Sequence, residues 1–136
     1  MKIATVMCVV LVAAAAISSS RLVAAKNPSA ANDFAAQVIT FNYVVAGYFL
    51  AHHQWPESRQ TLEDFSYSMT GPGLWLDRHH MKMFWRTVRG ASFTRRGRDG
   101  VADVALTTGS GFHPLKIVYT PGSDLDVIAG SARLIR

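Results

Sequence analysis

The chain has 136 residues, enough for one ordinary domain with one modest core. Its only cysteine, Cys8, lies in the N-terminal apolar stretch, so everything after that stretch excludes disulfides, thiolate nucleophiles and cysteine-ligated zinc. Fourteen basic residues against nine acidic ones give a formal charge of +5; setting aside Lys2 and Arg21 leaves 12 against 9, a mildly basic balance that favours solubility and anionic surfaces without indicating a nucleic-acid function.

Residues 1–25 read as an export signal. Lys2 supplies a positive start, residues 3–17 form an unbroken apolar run, and Leu22-Val23-Ala24-Ala25 ends in the small residues a signal peptidase accepts. The run is shorter than the roughly 20 residues a membrane-crossing helix needs, and Ser18, Ser19, Ser20 and Arg21 follow it directly. A cleaved signal is therefore expected, with the mature protein periplasmic or secreted. Residues 26–31, small and polar around Pro28, are expected to form a flexible leader, and residues 32–136 a single domain.

Asn32 or Asp33 is positioned to cap a long helix. Phe34, Val38, Phe41, Val45, Tyr48, Phe49 and His52 then recur at helical spacing. A second apolar stripe, Ile39, Tyr43 and Leu50 with Ala46, runs along the opposite side, so this helix wants two neighbours. One is the chain's own sheet; the other is the rest of the domain, a second copy or a protein partner. Pro56 stops the helix, and Ser58 opens a short second one over residues 58–65.

Beyond Thr70-Gly71-Pro72-Gly73 the pattern changes to period two. Met81, Met83 and Trp85 alternate with Lys82, Phe84 and Arg86. Ala102, Val104 and Leu106 form a second alternating run, and Leu115, Ile117 and Tyr119 a third. Turns are expected at residues 97–100, 109–111 and 121–124, with a further strand over residues 125–129. These elements predict an α+β fold, a long helix and a short helix on an antiparallel meander of about four to five strands.

The segment Tyr48-Phe49-Leu50-Ala51-His52-His53-Gln54-Trp55-Pro56, followed by Leu62, resembles the point in type IV pilins and pseudopilins where the long helix gives way to an aromatic-Pro turn. It covers about twenty residues, and the order of helix then meander is similar too. A pilin-like assembly protein is what the resemblance implies. The chain lacks the Gly-Phe and following Glu of a prepilin cleavage site, and pilin function is not carried over.

The densest charge cluster is Arg78, Lys82, Arg86, Arg89, Arg95, Arg96 and Arg98, with Trp85 and Phe93 among them; Arg86, Arg89, Arg95, Arg96 and Arg98 are its candidate anion-binding residues. If residues 84–95 run as paired strands, some of these arginines share a face and grip phosphate or carboxylate of an anionic surface polymer. Otherwise they guard a sheet edge against aggregation. The histidines fall as His52-His53, His79-His80 and His113. Adjacent residues diverge by about 100° in a helix and to opposite faces in a strand, so no metal site is assigned. Asp77, His79, His80 and Ser110 supply residue types for hydrolysis, and an Arg86- or Arg89-assisted nuclease is the rival reading, but no spacing fixes their geometry and no catalytic residue or cofactor is assigned. The expectation is a small exported, non-enzymatic binding or assembly module. Its partner is a protein met through Ile39, Tyr43 and Leu50, a second copy, or an anionic polymer; no dedicated nucleic-acid motif is present.

Overall fold

A computed structural model describes residues 30–72, 76–109 and 111–135. The export signal, most of the leader, Gly73 and Ser110 lie outside these residues. Among them the order is α1 (Ala30–His52), α2 (Arg59–Ser66) with a 3-10 turn (Tyr67–Met69), α3 (Arg78–Thr87), β1 (Val88–Arg96), β2 (Asp99–Thr108), β3 (Gly111–Tyr119), α4 (Leu125–Gly130) and β4 (Arg133–Ile135). The class is α+β, as the periodicities predict. The four strands form one antiparallel sheet in the order β1-β2-β3-β4.

Three expectations need correction. The run through Met81, Met83 and Trp85 is helix α3, not a strand, so the arginine-rich stretch begins on a helix and only reaches the sheet at Val88. Asp77 sets this helix by accepting the His80 backbone N–H at 2.8 Å. The residues it buries, Met81, Phe84, Trp85 and then Val88, recur at helical spacing, whereas Met83 is 46% exposed. Residues 125–129 likewise form α4, burying Leu125, Ile128 and Ala129 on one face; the fourth strand follows it instead. Finally, α1 is already helical at Ala30, which places Asn32 and Asp33 inside the helix and not at its cap.

The long helix lies on one sheet face. That face presents Phe93 from β1, Ala102, Val104 and Leu106 from β2, and Ile117 and Tyr119 from β3, in matched register. Phe41 of α1 stacks parallel to Phe93 at 6.2 Å between ring centroids. The Tyr119 hydroxyl donates to Asn42 Oδ1 at 2.7 Å, supplying the partner a buried phenol needs. Residues 34–52 are long and apolar enough to cross a membrane by length and composition; here Phe41, Val44 and Val45 are wholly enclosed by the chain's own core.

The helices close the ends of this layer. The Trp85 indole N–H donates to the fully buried Ser66 hydroxyl at 2.7 Å, joining α3 to α2. Arg59 lies over the Trp85 ring and donates to the Val88 carbonyl and to the Trp85 carbonyl, which also accepts the Val88 backbone N–H where α3 ends. On the other side α4 packs along α1 and covers Tyr43, whose hydroxyl donates to Asp126 Oδ1 at 3.2 Å.

Candidate functional site

Among the described residues, a broad concavity lies where α1 ends against the β1–β2 hairpin. His53 takes a left-handed conformation (φ 55°) and donates its backbone N–H to the Phe49 carbonyl at 2.7 Å, which turns the chain sharply out of the helix. The turn delivers Trp55 onto the sheet. Its ring lies flat against the backbone of Gly100, where a Cβ would stand only 2.4 Å from the indole, so this position requires a glycine. The indole N–H donates to the Arg98 carbonyl at 3.1 Å and pins the loop to the hairpin turn. Gly97, at φ 66°, occupies the first central position of that turn, where a glycine is favoured.

Between loop and hairpin lies an open cleft of about 740 Å³, within the range of small-molecule sites. Phe49, Trp55 and Phe93 supply its aromatic wall, and Pro56 and Pro121 its apolar rims. The polar groups are Thr94, Arg95 and Arg98 from the hairpin, with His53, Gln54 and Glu57 from the loop. Arg95, Arg98 and Glu57 are exposed, and none has an ion-pair partner within 4.0 Å among the described residues.

The five candidate arginines of the sequence cluster therefore separate. Arg95 pairs with Gly100 in the ladder and shares the helix-bearing face with Phe93, while Arg96 pairs with Asp99 on the opposite face. Arg89, at the irregularity between Val88 and Gly90, donates to Thr107 Oγ1 at 3.2 Å. Arg86 sits on α3, beside Lys82 at a smaller hollow of about 270 Å³ shared with Arg59, Glu63, Tyr67 and Trp85. Only Arg95 and Arg98 converge on the large cleft. Of the second stripe on α1, Tyr43 is buried under α4, while Ile39 and Leu50 are half-buried against the same core.

The histidines are dispersed. His52 packs tilted against Tyr48 and edge-on to Phe65, His113 meets Phe34 and the Thr108 hydroxyl, and His53 borders the cleft. His80 pairs with Asp77 on the exposed start of α3, next to His79. The His80 backbone N–H, then its ring, hold the Asp77 carboxyl below the usual aspartate value. Among the described residues no three His, Cys, Asp or Glu side chains group as metal ligands would.

Sequence reasoning missed Trp55, Glu57, Phe49 and Gly100 as site residues, because Trp55-Pro56 reads simply as a helix stop. The available signal was a large aromatic directly after a helix with a glycine-flanked arginine turn downstream, Gly97-Arg98-Asp99-Gly100. Comparison with family models, curated proteins and solved structures finds no match to this chain.

Proposed function

We propose that the protein is a small exported binding module, without catalytic chemistry, that holds an anionic ligand in the Trp55 cleft. The observation that carries this reading is the convergence of two unpaired arginines on one aromatic-walled cavity. Guanidinium groups meet a carboxylate or phosphate with paired, charge-assisted hydrogen bonds, and adjacent rings strip water from the ligand's apolar part. Export rests on Lys2, the apolar run and the small residues at Val23 and Ala25; protein recovered from its host is expected to begin near Lys26.

A thermal-shift screen of small organic anions tests the binding reading. A ligand at a hundred times its Kd stabilises the folded state by about 2.7 kcal/mol, so a bound anion raises Tm in the native chain and not in the Arg95→Ala, Arg98→Ala double variant. Equal shifts in both proteins contradict the proposal. Turnover of RNA, DNA or cell-wall material that disappears in His79→Ala or His80→Ala would replace it with the hydrolase reading.

A further inference from the structure

Resting on that binding reading, we infer that the ligand of the Trp55 cleft is a zwitterion, carrying a carboxylate and an ammonium group on a short apolar body. The two walls of the cleft have opposite charge. Arg95 and Arg98 stand on the hairpin side, and Glu57 stands on the loop side directly after Pro56. They share one cavity of about 740 Å³, yet no pair among them closes to within 4.0 Å.

Trp55 fixes the two walls relative to each other. Its ring fills the space above Gly100 and its indole N–H is held by the Arg98 carbonyl, so the loop and the hairpin are fastened at the cleft floor while the charged side chains remain open above it. Exposed side chains of opposite sign lining one cavity present a bipolar surface. A ligand with one negative and one positive end satisfies both walls. A ligand with negative charge alone leaves the Glu57 carboxylate facing a like charge, which disfavours it. Phe49 and Phe93 line the same cleft, and suit an aromatic or short hydrocarbon body.

A long polyanion does not fit this arrangement. Arg96 lies on the other sheet face and Arg89 is engaged with Thr107, so a strand of repeated anionic groups would find only two cations here. A carboxylate is the natural anionic end, since its planar oxygens match the guanidinium fork.

The test is calorimetric titration of the full mature chain with three matched probes: 4-(aminomethyl)benzoate, 4-methylbenzoate and 4-methylbenzylamine. The zwitterion is expected to bind about tenfold tighter than either singly charged probe, a margin of about 1.4 kcal/mol. Glu57→Gln, an exposed and nearly isosteric change, is expected to erase that margin while leaving 4-methylbenzoate binding intact or stronger. If 4-methylbenzoate binds the native chain as tightly as the zwitterion, the bipolar inference is overturned and the anionic reading stands. If no probe binds in a manner that Arg95→Ala and Arg98→Ala abolish, both fall together.

Discussion

Gly100 and Trp55 show how a single backbone position shapes the cleft. A methyl group at residue 100 would meet the indole at 2.4 Å, against ring atoms that are themselves held by the Arg98 carbonyl. Gly100→Ala is therefore expected to cost about 1–3 kcal/mol through overpacking and to weaken ligand binding, because the loop must lift from the hairpin. Trp55→Phe keeps an aromatic ring but loses the indole donor, leaving the Arg98 carbonyl to water; a smaller loss of about 1 kcal/mol follows. Urea unfolding of both variants checks the order. Tyr43 gives a pH signature. Burial first, then the charge and hydrogen bond of Asp126, push its phenol up from 10.0 to about 12. The unfolded phenol ionises first, so this contribution is complete below pH 10 and is lost as pH rises through about 12. Tyr43→Phe removes that fall, and the difference between its urea midpoint and that of the native chain, followed from neutral pH to strongly alkaline, measures it without interference from the buried Tyr119, which both proteins retain.

At the scale of elements, α2 and α3 are joined by Arg59 over the Trp85 ring and by a buried hydrogen bond between Trp85 and Ser66. Ser66 is fully enclosed, accepts from the Trp85 indole and donates to the Glu63 carbonyl. Ser66→Ala would strand a buried N–H, at a cost of about 1–3 kcal/mol, and is expected to lower the urea midpoint with little change in near-neighbour secondary structure. Periodicity revealed the elements whose buried residues follow one rule over many positions. Helix α1 carries Phe41, Val45 and Tyr48 at helical spacing, and β2 alternates Ala102, Val104 and Leu106 with Asp103 and Ala105, so both were legible, although Val101 and Val118 are buried on the other sheet face as well. Helix α3 was not, because Met81, Met83 and Trp85 alternate by coincidence with Lys82, Phe84 and Arg86, and the deciding feature, the Asp77 cap on the His80 N–H, is a local contact that alternation ignores. Helix α4 is only six residues long, too short for the two periods to separate. The candidate site was half legible. Arg95 and Arg98 were chosen from charge density, but their separation from Arg89 and Arg96 depends on strand register, and Glu57 and Trp55 reach them only through the fold.

Across the whole molecule, the helices and sheet frame a cleft lined by Arg95 and Arg98 on the hairpin and Glu57 on the loop. Helix α1 is fixed to the sheet by Phe41 and Phe93, and by Tyr119 with Asn42, and its C-terminal turn carries one wall to the hairpin that carries the other. Both apolar sides of α1 find cover within the chain, the second through α4 over Tyr43. Tyr43→Ser with Leu50→Ser is accordingly expected to lower the melting temperature outright, and a change in oligomeric state with melting unaltered would instead mark this stripe as a partner surface. The central claim, that the Trp55 cleft is the ligand site, is tested most directly by amide and indole NMR shifts during titration with an aryl carboxylate such as 4-(aminomethyl)benzoate. The account predicts saturable shifts at the Trp55 indole, at residues 53–57 and at residues 93–98, abolished by Arg95→Ala with Arg98→Ala and retained in Arg89→Ala with Arg96→Ala. Shifts confined to the opposite sheet face, or shifts at the cleft that survive loss of both Arg95 and Arg98, would contradict it.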